Sequence, residues 1–531
     1  MGSYYIGIDV GTGSARAGVF DGDGALLGAG KTDITLYRDK GDIVEQSSAE
    51  IWAAVCAATR AAMAQSGVAA SNIAGIGFDA TCSLVVLGAD GAPLPVGPSE
   101  DANRNIIVWM DHRALDQAER INATGHSVLK YVGGVISPEM ETPKLLWLAE
   151  NRPQVFEAAW QFFDLTDFLT WKATDSLARS TCTVTCKWTY LAHENRWDET
   201  YFREVGLGIL AEEGFKRIGQ DVVAPGVALG RGLTEKAAAE LGLAAGTPVG
   251  AGLIDAHAGG IGTVGAAGDP TECMGYVFGT SSCTMTTTQE PAFVPGVWGP
   301  YYSAMMPDAW LNEGGQSATG AAIAQLLSMH PAALEANEIA KAENKSLPVW
   351  LADIAATKAT HLSEVVRLAE GLHVVPEFLG NRAPFADPHA RAVIAGLGMD
   401  RDIDSLIALY IAGLCGIGYG LRQIIETQAV NGAPIKRIMI SGGAGQQDLV
   451  RQLLADATGV PVIATCAEEP VLLGSAILGA VAAGKFADMP SAMAKMSALK
   501  DRYIPVIGDI QNAHNARFAA FQRLQDVARA L

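Results

Sequence analysis

The stretch YYIGIDVGTGSARAGVF, residues 4–20, decides how the chain is read. Apolar residues alternate from Tyr4 into Asp9, break at Gly11, Thr12, Gly13 and Ser14, and resume over 15–20. That is the pattern of a strand, a tight turn and a returning strand. A second turn at Asp21-Gly22-Asp23-Gly24 leads to a third strand from Ala25, so the segment reads as a β-meander. About half the chain later the design returns: CMGYVFGTSSCTMTTT, residues 273–288, is again strand, Gly279-Thr280-Ser281-Ser282 turn and strand. Two such hairpins, one opening each half, imply a duplicated α/β chain with a cleft between the copies. The boundary is expected near 256–268, giving domains 1–256 and 257–531.

Working outward, helical periodicity covers 48–65, and a strand at 73–78 runs into Asp79-Ala80-Thr81-Cys82-Ser83. A strand over 249–254 ends at Asp255-Ala256-His257. Near the end, a strand at 435–440 leads into Ser441-Gly442-Gly443-Ala444-Gly445, then a helix and a strand at 460–464. The 59 glycines are dispersed through the chain, which excludes collagen-like or linker readings and implies many tight turns.

At 531 residues there is room for two to four domains, and 49% hydrophobic against 18% charged residues describes a folded chain. Lysine and arginine number 38 against 57 acidic residues, a net charge of −19 with no basic run, which argues against nucleic-acid and anionic-membrane partners. The opening residues have neither a basic stretch nor a signal core. The longest apolar runs, 406–421 and 471–484, are too short or too glycine-rich to span a bilayer and read as buried helices. The eight cysteines show no disulfide spacing, and Cys182 and Cys186 lack a second pair for zinc, so buried thiols and a cytoplasmic location are expected.

Successive amides in a glycine-rich turn form an anion nest, and two such turns facing each other make a phosphate clamp. Asp9 precedes the first turn. A carboxylate there repels phosphates unless Mg²⁺ intervenes, so Asp9 is either a metal ligand through water or a turn cap. Gly479 to Lys485 imitates a P-loop, but Phe486 stands where Ser or Thr is needed and the segment ends a helix, so it is rejected. Gly260, Gly262 and Gly265 match GxGxxG after a helix start and read as close helix packing. Asp255 ends a strand and opens a helix, where it stays ionised and able to accept a hydroxyl proton, or serves as a simple N-cap. His257 is expected on another face, in a structural role.

In combination these residues resemble the FGGY carbohydrate kinases: 6–14, Trp109-Met110-Asp111-His112-Arg113, Pro143-Lys144-Leu145, Asp255-Ala256-His257, Gly279-Thr280-Ser281, Asn381-Arg382-Ala383-Pro384 and Ser441-Gly442-Gly443-Ala444 occur in that family's order. Glu468-Glu469 running into Gly474-Ser475-Ala476 is also family-like, and the resemblance spans 4–524. It implies a two-domain actin/Hsp70/hexokinase-like (ribonuclease H-like) fold, ATP and Mg²⁺ as cofactors, and a sugar deep in the cleft. By position, Asp255 matches the catalytic base, and Gly11, Thr12, Gly13, Ser14 and Gly279, Thr280, Ser281 the phosphate turns. Gly442, Gly443 and Ala444 match the adenosine turn. Gln446 and Gln447 depart from the Asn or Ser usual beside adenine, with Gln447 taken as a contact, and Ser405 replaces a usual His, Asp, Glu, Asn or Gln.

For the sugar, Thr81-Cys82-Ser83-Leu84-Val85 is similar to D-ribulose kinases within the family, which makes Thr81 and Cys82 substrate residues. The charged Arg–Glu pair of glycerol kinases is missing. Lys187 and Glu313 resemble the substrate lysine and glutamate of ribulokinases; one can donate to vicinal hydroxyls and the other accept from them, or the two form an ordinary interdomain salt bridge. Trp109 either closes over the sugar face or belongs to the core. The expected reaction phosphorylates the terminal primary hydroxyl of a ketopentose, D-ribulose first, with L-ribulose, ribitol and D-xylulose as alternatives. An actin- or Hsp70-type ATPase without a sugar is the other class, disfavoured because little sequence is left over for partner binding. A homodimer is common for such enzymes.

Overall fold

The computed structural model describes residues 3–530, and of Ala444 the backbone alone. β1 (Tyr4–Val10) and β2 (Ser14–Phe20) form the hairpin read from the sequence, and β3 (Leu26–Asp33) completes the meander. Helix α1 (Ser48–Ser66) starts where Ser47 accepts the Glu50 amide and stops at Gly67, whose φ of 65° suits glycine. β4 (Ile73–Ala80) then pairs parallel with β1. Helix α2 (Thr181–Trp188) precedes β5 (Leu253–Ile254), which joins β4, and the sheet order is β5-β4-β1-β2-β3. Helix α3 (Asp255–Val264) follows β5 without a linker.

The second half repeats this plan. β6 (Cys273–Phe278) and β7 (Ser282–Thr288) make the second hairpin, β8 (Trp298–Tyr302) and β9 (Trp310–Gly314) continue it, and helix α4 (Gly320–Ser328) follows. Helix α5 (Ile403–Val430) leads to β10 (Arg437–Ser441), helix α6 (Asp448–Thr458), β11 (Val462–Thr465), helix α7 (Pro470–Ala482) and β12 (Leu499–Tyr503). The sheet runs β8-β9-β7-β6-β10-β11-β12, and its inner five strands repeat the connectivity of the first sheet. α5 is long and apolar enough to cross a membrane, but 72% of its most apolar window is buried inside the protein.

α7 belongs late in the sequence yet packs on β1 and β4 of the first sheet and on α3. Glycine makes that approach possible: a Cβ on Gly7 would lie 1.8 Å from the Leu472 carbonyl oxygen, and one on Gly474 would lie 1.9 Å from that of Ala258. Gly262 of the GxGxxG match meets Pro470 in the same way, and Gly479 of the P-loop imitation faces the Gly75–Ile76 backbone. Both motifs are thus packing devices. The expected division after residue 256 falls inside α3, between the end of the first sheet and the start of the second.

Candidate active site

The two turns are built alike. Gly11 N–H donates to the Ser14 carbonyl and Gly279 N–H to that of Ser281, each at 3.0 Å. The inner amides of Thr12, Gly13, Thr280 and Ser281 have no backbone acceptor among the described residues, the donor set of an anion nest. Both turns are held from behind. The Thr280 carbonyl accepts from Thr319 and Ala321 N–H at 2.9 and 3.1 Å, at the start of α4. The Thr12 hydroxyl accepts the Trp109 indole N–H at 3.0 Å. Trp109 packs against the hydrophobic core, one of the two readings open to it, and also braces this glycine-rich turn; its own amide donates to the Ser83 hydroxyl.

Register gathers three carboxylates. Asp9 on β1 stands opposite Arg16 on β2 and opposite Asp79 on β4, while Asp79 also pairs with Leu253, two residues before Asp255. Asp9 is buried and ion-paired with Arg16, whose other nitrogen reaches Glu469 at 2.9 Å. Asp79, unremarked in the sequence, is fully buried, accepts the Ser475 hydroxyl, and leaves Oδ1 without a partner among the described residues. Burial, and then the charge of Asp9, push it well above the usual carboxylate range.

Asp255 is the first residue of α3 and not its cap, a position taken by Ile254; its Oδ1 accepts the Ala256 amide at 2.7 Å. Burial and the charge of Asp9 raise Asp255 to about 6 against the pull of that amide, His257 and Lys187. Three clustered carboxylates with an unpartnered buried oxygen are a hard-oxygen donor set that suits Mg²⁺.

Across from them, Glu313 on β9 is nearly buried and held at about 2: burial opposes ionisation, but the His257 contact and the charges of Lys187 and Arg382 outweigh it. The interdomain salt bridge open to Lys187 and Glu313 does not form, since Glu313 pairs with His257 instead, Oε2 to Nε2 at 3.3 Å. Burial works to lower the Lys187 ammonium, but its surroundings, the Glu313 carboxylate among them, leave it raised well above the usual lysine range. Lys187 Nζ lies 5.8 Å from the Trp298 ring. Thr81 donates its amide to Val10, and burial pushes the Cys82 thiol far up, so Cys82 is a neutral wall. A cavity of about 440 Å³ beside Glu313 is lined also by Glu139, Trp298, Asn381 and Arg382. From the sequence, Glu313 and the Asn381-Arg382 motif pointed there.

His257, read as structural, faces Cys182 Sγ with Nδ1 at 3.1 Å. With Cys186 it makes three donors within 4.8 Å of one another, one short of a tetrahedral zinc shell. On the other side of Arg16, a cleft of about 730 Å³ is lined by Val277, Gly442, Gly443, Gln446 and Glu469. Gly442 has φ 93°, and a Cβ there would lie 2.5 Å from the Phe278 carbonyl oxygen. Gln447 stands instead at the cap of α6, so Gln446 is the glutamine facing the cleft, while the Ala444 side chain lies outside the described residues.

Residues 4–262 match the N-terminal domain, and residues 274–483 the C-terminal domain, of the FGGY family of carbohydrate kinases. The chain belongs to this family. An FGGY carbohydrate kinase domain-containing protein of Homo sapiens is 44% identical over 538 residues, covering 98% of this chain and 96% of that protein. A D-ribulokinase of Saccharomyces cerevisiae is 39% identical over 516 residues, covering 91% of this chain and 72% of that one. A xylulose kinase from Rhodospirillum rubrum shares the fold with a TM-score of 0.82 at 20% identity, over 99% of both chains. This FGGY kinase has the two-domain actin/hexokinase-like fold and is an ATP-dependent sugar phosphotransferase. That sets aside the ATPase without a sugar.

Proposed function

We propose that the enzyme phosphorylates the terminal primary hydroxyl of D-ribulose to give D-ribulose 5-phosphate. The observation that carries the reading is Asp255, with a pKa near 6, within the electrostatic reach of Lys187, which in turn neighbours Glu313. The similarity to a yeast D-ribulokinase supports this sugar over L-ribulose, ribitol and D-xylulose.

Asp255 accepts a hydrogen bond from the primary hydroxyl, aligns it with the γ-phosphate of ATP and takes its proton late. The amides around Gly279, Thr280 and Ser281 stabilise charge on the equatorial oxygens, and Gly11, Thr12, Gly13 and Ser14 hold the phosphates from the opposite side. Gly442, Gly443 and Ala444 form the floor under adenosine. Mg²⁺ neutralises phosphate charge when bound, and Asp9, with Asp79 behind it, would hold it. Lys187 donates to the sugar hydroxyls and Glu313 accepts from them, with Thr81 and Cys82 forming the adjoining wall. Closing the cleft excludes water, the competing acceptor. A cytoplasmic homodimer accompanies this reading.

The test is coupled ADP release with Mg·ATP and D-ribulose, L-ribulose, D-xylulose, ribitol or glycerol at matched concentrations. D-ribulose should lead in kcat/KM. A different leader rejects the choice of sugar, and no stimulation by any of them rejects the substrate class.

A further inference from the structure

We propose that Cys182, His257 and Glu313 form a buried relay in which His257 is a positioning residue that holds the Glu313 carboxylate in register for the sugar. The inference rests on the reading of Glu313 as a sugar contact. His257 is fully buried on α3, two residues after Asp255, and both ring nitrogens have partners: Nδ1 with Cys182 Sγ at 3.1 Å, Nε2 with Glu313 Oε2 at 3.3 Å. The remaining Glu313 oxygen receives the Cys283 thiol at 3.6 Å.

The chemistry of the pair settles where the ring proton sits. If Cys182 is a thiol, its S–H donates to Nδ1 and the neutral ring carries its proton on Nε2. If Cys182 is a thiolate, the ring is an imidazolium with protons on both nitrogens. In both arrangements an Nε2–H points at the Glu313 carboxylate, which when ionised can only accept; a neutral ring protonated on Nδ1 would leave that carboxylate without this donor. Cys182 also accepts the Ile254 amide at 3.3 Å, fixing the β5–α3 junction from which Asp255 projects. One helix thus sets both the proton acceptor for the reacting hydroxyl and the orientation of the acceptor for a second hydroxyl. The relay ties α2 and α3, which carry Cys182 and His257, to β9 of the second sheet, which carries Glu313. A polyol with its recognised hydroxyl shifted by one carbon would lose one of the two contacts.

The experiment compares His257→Leu, His257→Gln and Glu313→Gln with the wild type, using whichever polyol the wild type phosphorylates fastest, so that the choice of sugar does not enter. A glutamine amide can donate from about the place of Nε2; leucine cannot. His257→Leu should raise the sugar KM about tenfold or more, the usual effect of losing a hydrogen bond to a charged group, with the ATP KM unchanged. His257→Gln should recover most of that loss. The double variant His257→Leu with Glu313→Gln should be no worse than Glu313→Gln alone. A folded His257→Leu with sugar KM within twofold of wild type, or a defect that glutamine does not rescue, overturns the relay. If Glu313→Gln itself leaves the sugar KM unchanged, the reading of Glu313 fails first. Should the leucine variant not fold, ¹⁵N spectra of the wild-type histidines decide: a protonated Nε2 at His257 supports the relay, and a bare Nε2 refutes it.

Discussion

The Ser475 hydroxyl donates to the Asp79 carboxylate across 396 residues of sequence, joining α7 to the strand beside Asp9. The bond goes to Oδ2, and Oδ1 has no hydrogen-bond partner among the described residues, so Ser475 carries much of the satisfaction of this carboxylate. Ser475→Ala should cost about 1–3 kcal/mol, the penalty for leaving a buried polar group unpaired. Urea denaturation measures it, and a loss below about 0.5 kcal/mol contradicts the assignment.

Asp255→Ala should lower kcat by about 10²–10⁴-fold, the range for removing a positioned general base, while sugar and ATP still bind. Coupled ADP release, with circular dichroism to verify folding, provides the check. Near-normal turnover in a folded variant eliminates Asp255 as the base.

The pH dependence follows from the same residue. Its pKa lies raised at about 6, and the base works only when ionised. The kcat/KM for sugar should therefore climb through about pH 6 and level off above, falling about tenfold per unit on the acid side. An unperturbed carboxylate would put that limb near pH 4. A profile flat down to pH 5 removes the raised pKa from the account.

Gly474→Ala would drive a methyl to 1.9 Å from the Ala258 carbonyl, a backbone atom on α3 that cannot rotate away. Overpacking of this kind costs about 1–3 kcal/mol or more. The melting temperature should fall by several degrees, whereas Gly443→Ala, where an added Cβ meets nothing within 4 Å, should leave it unchanged.

What the sequence revealed depended on how local the cause was. Both hairpins were legible because alternation and a Gly/Thr/Ser turn lie within seventeen residues, and Asp9 and Asp255 because each abuts such a signal. The strand expected over 249–254 is regular only at Leu253–Ile254; before it, Val249 bridges to Ile76 of β4, while Val249 and Ala251 also bond to Leu229, Gly226 and Val227. Asp79 escaped notice because its importance comes from register with Asp9 and from Ser475. The partners of His257 were hidden for the same reason: they lie 75 and 56 residues away, and nothing adjacent to a lone histidine announces them. Trp109 could not be tied to Thr12 without the intervening fold.

The glycine seams under α7 bear on the duplicated architecture. A fragment ending before Pro470 would carry the whole first sheet yet lack the wall that fills the grooves at Gly7 and Gly77, and would expose bare backbone there. The two topological copies are therefore interleaved and not interchangeable modules. The first copy needs α7 from the second to close its own sheet, so a split version of this enzyme must supply that helix for the first part to become compact.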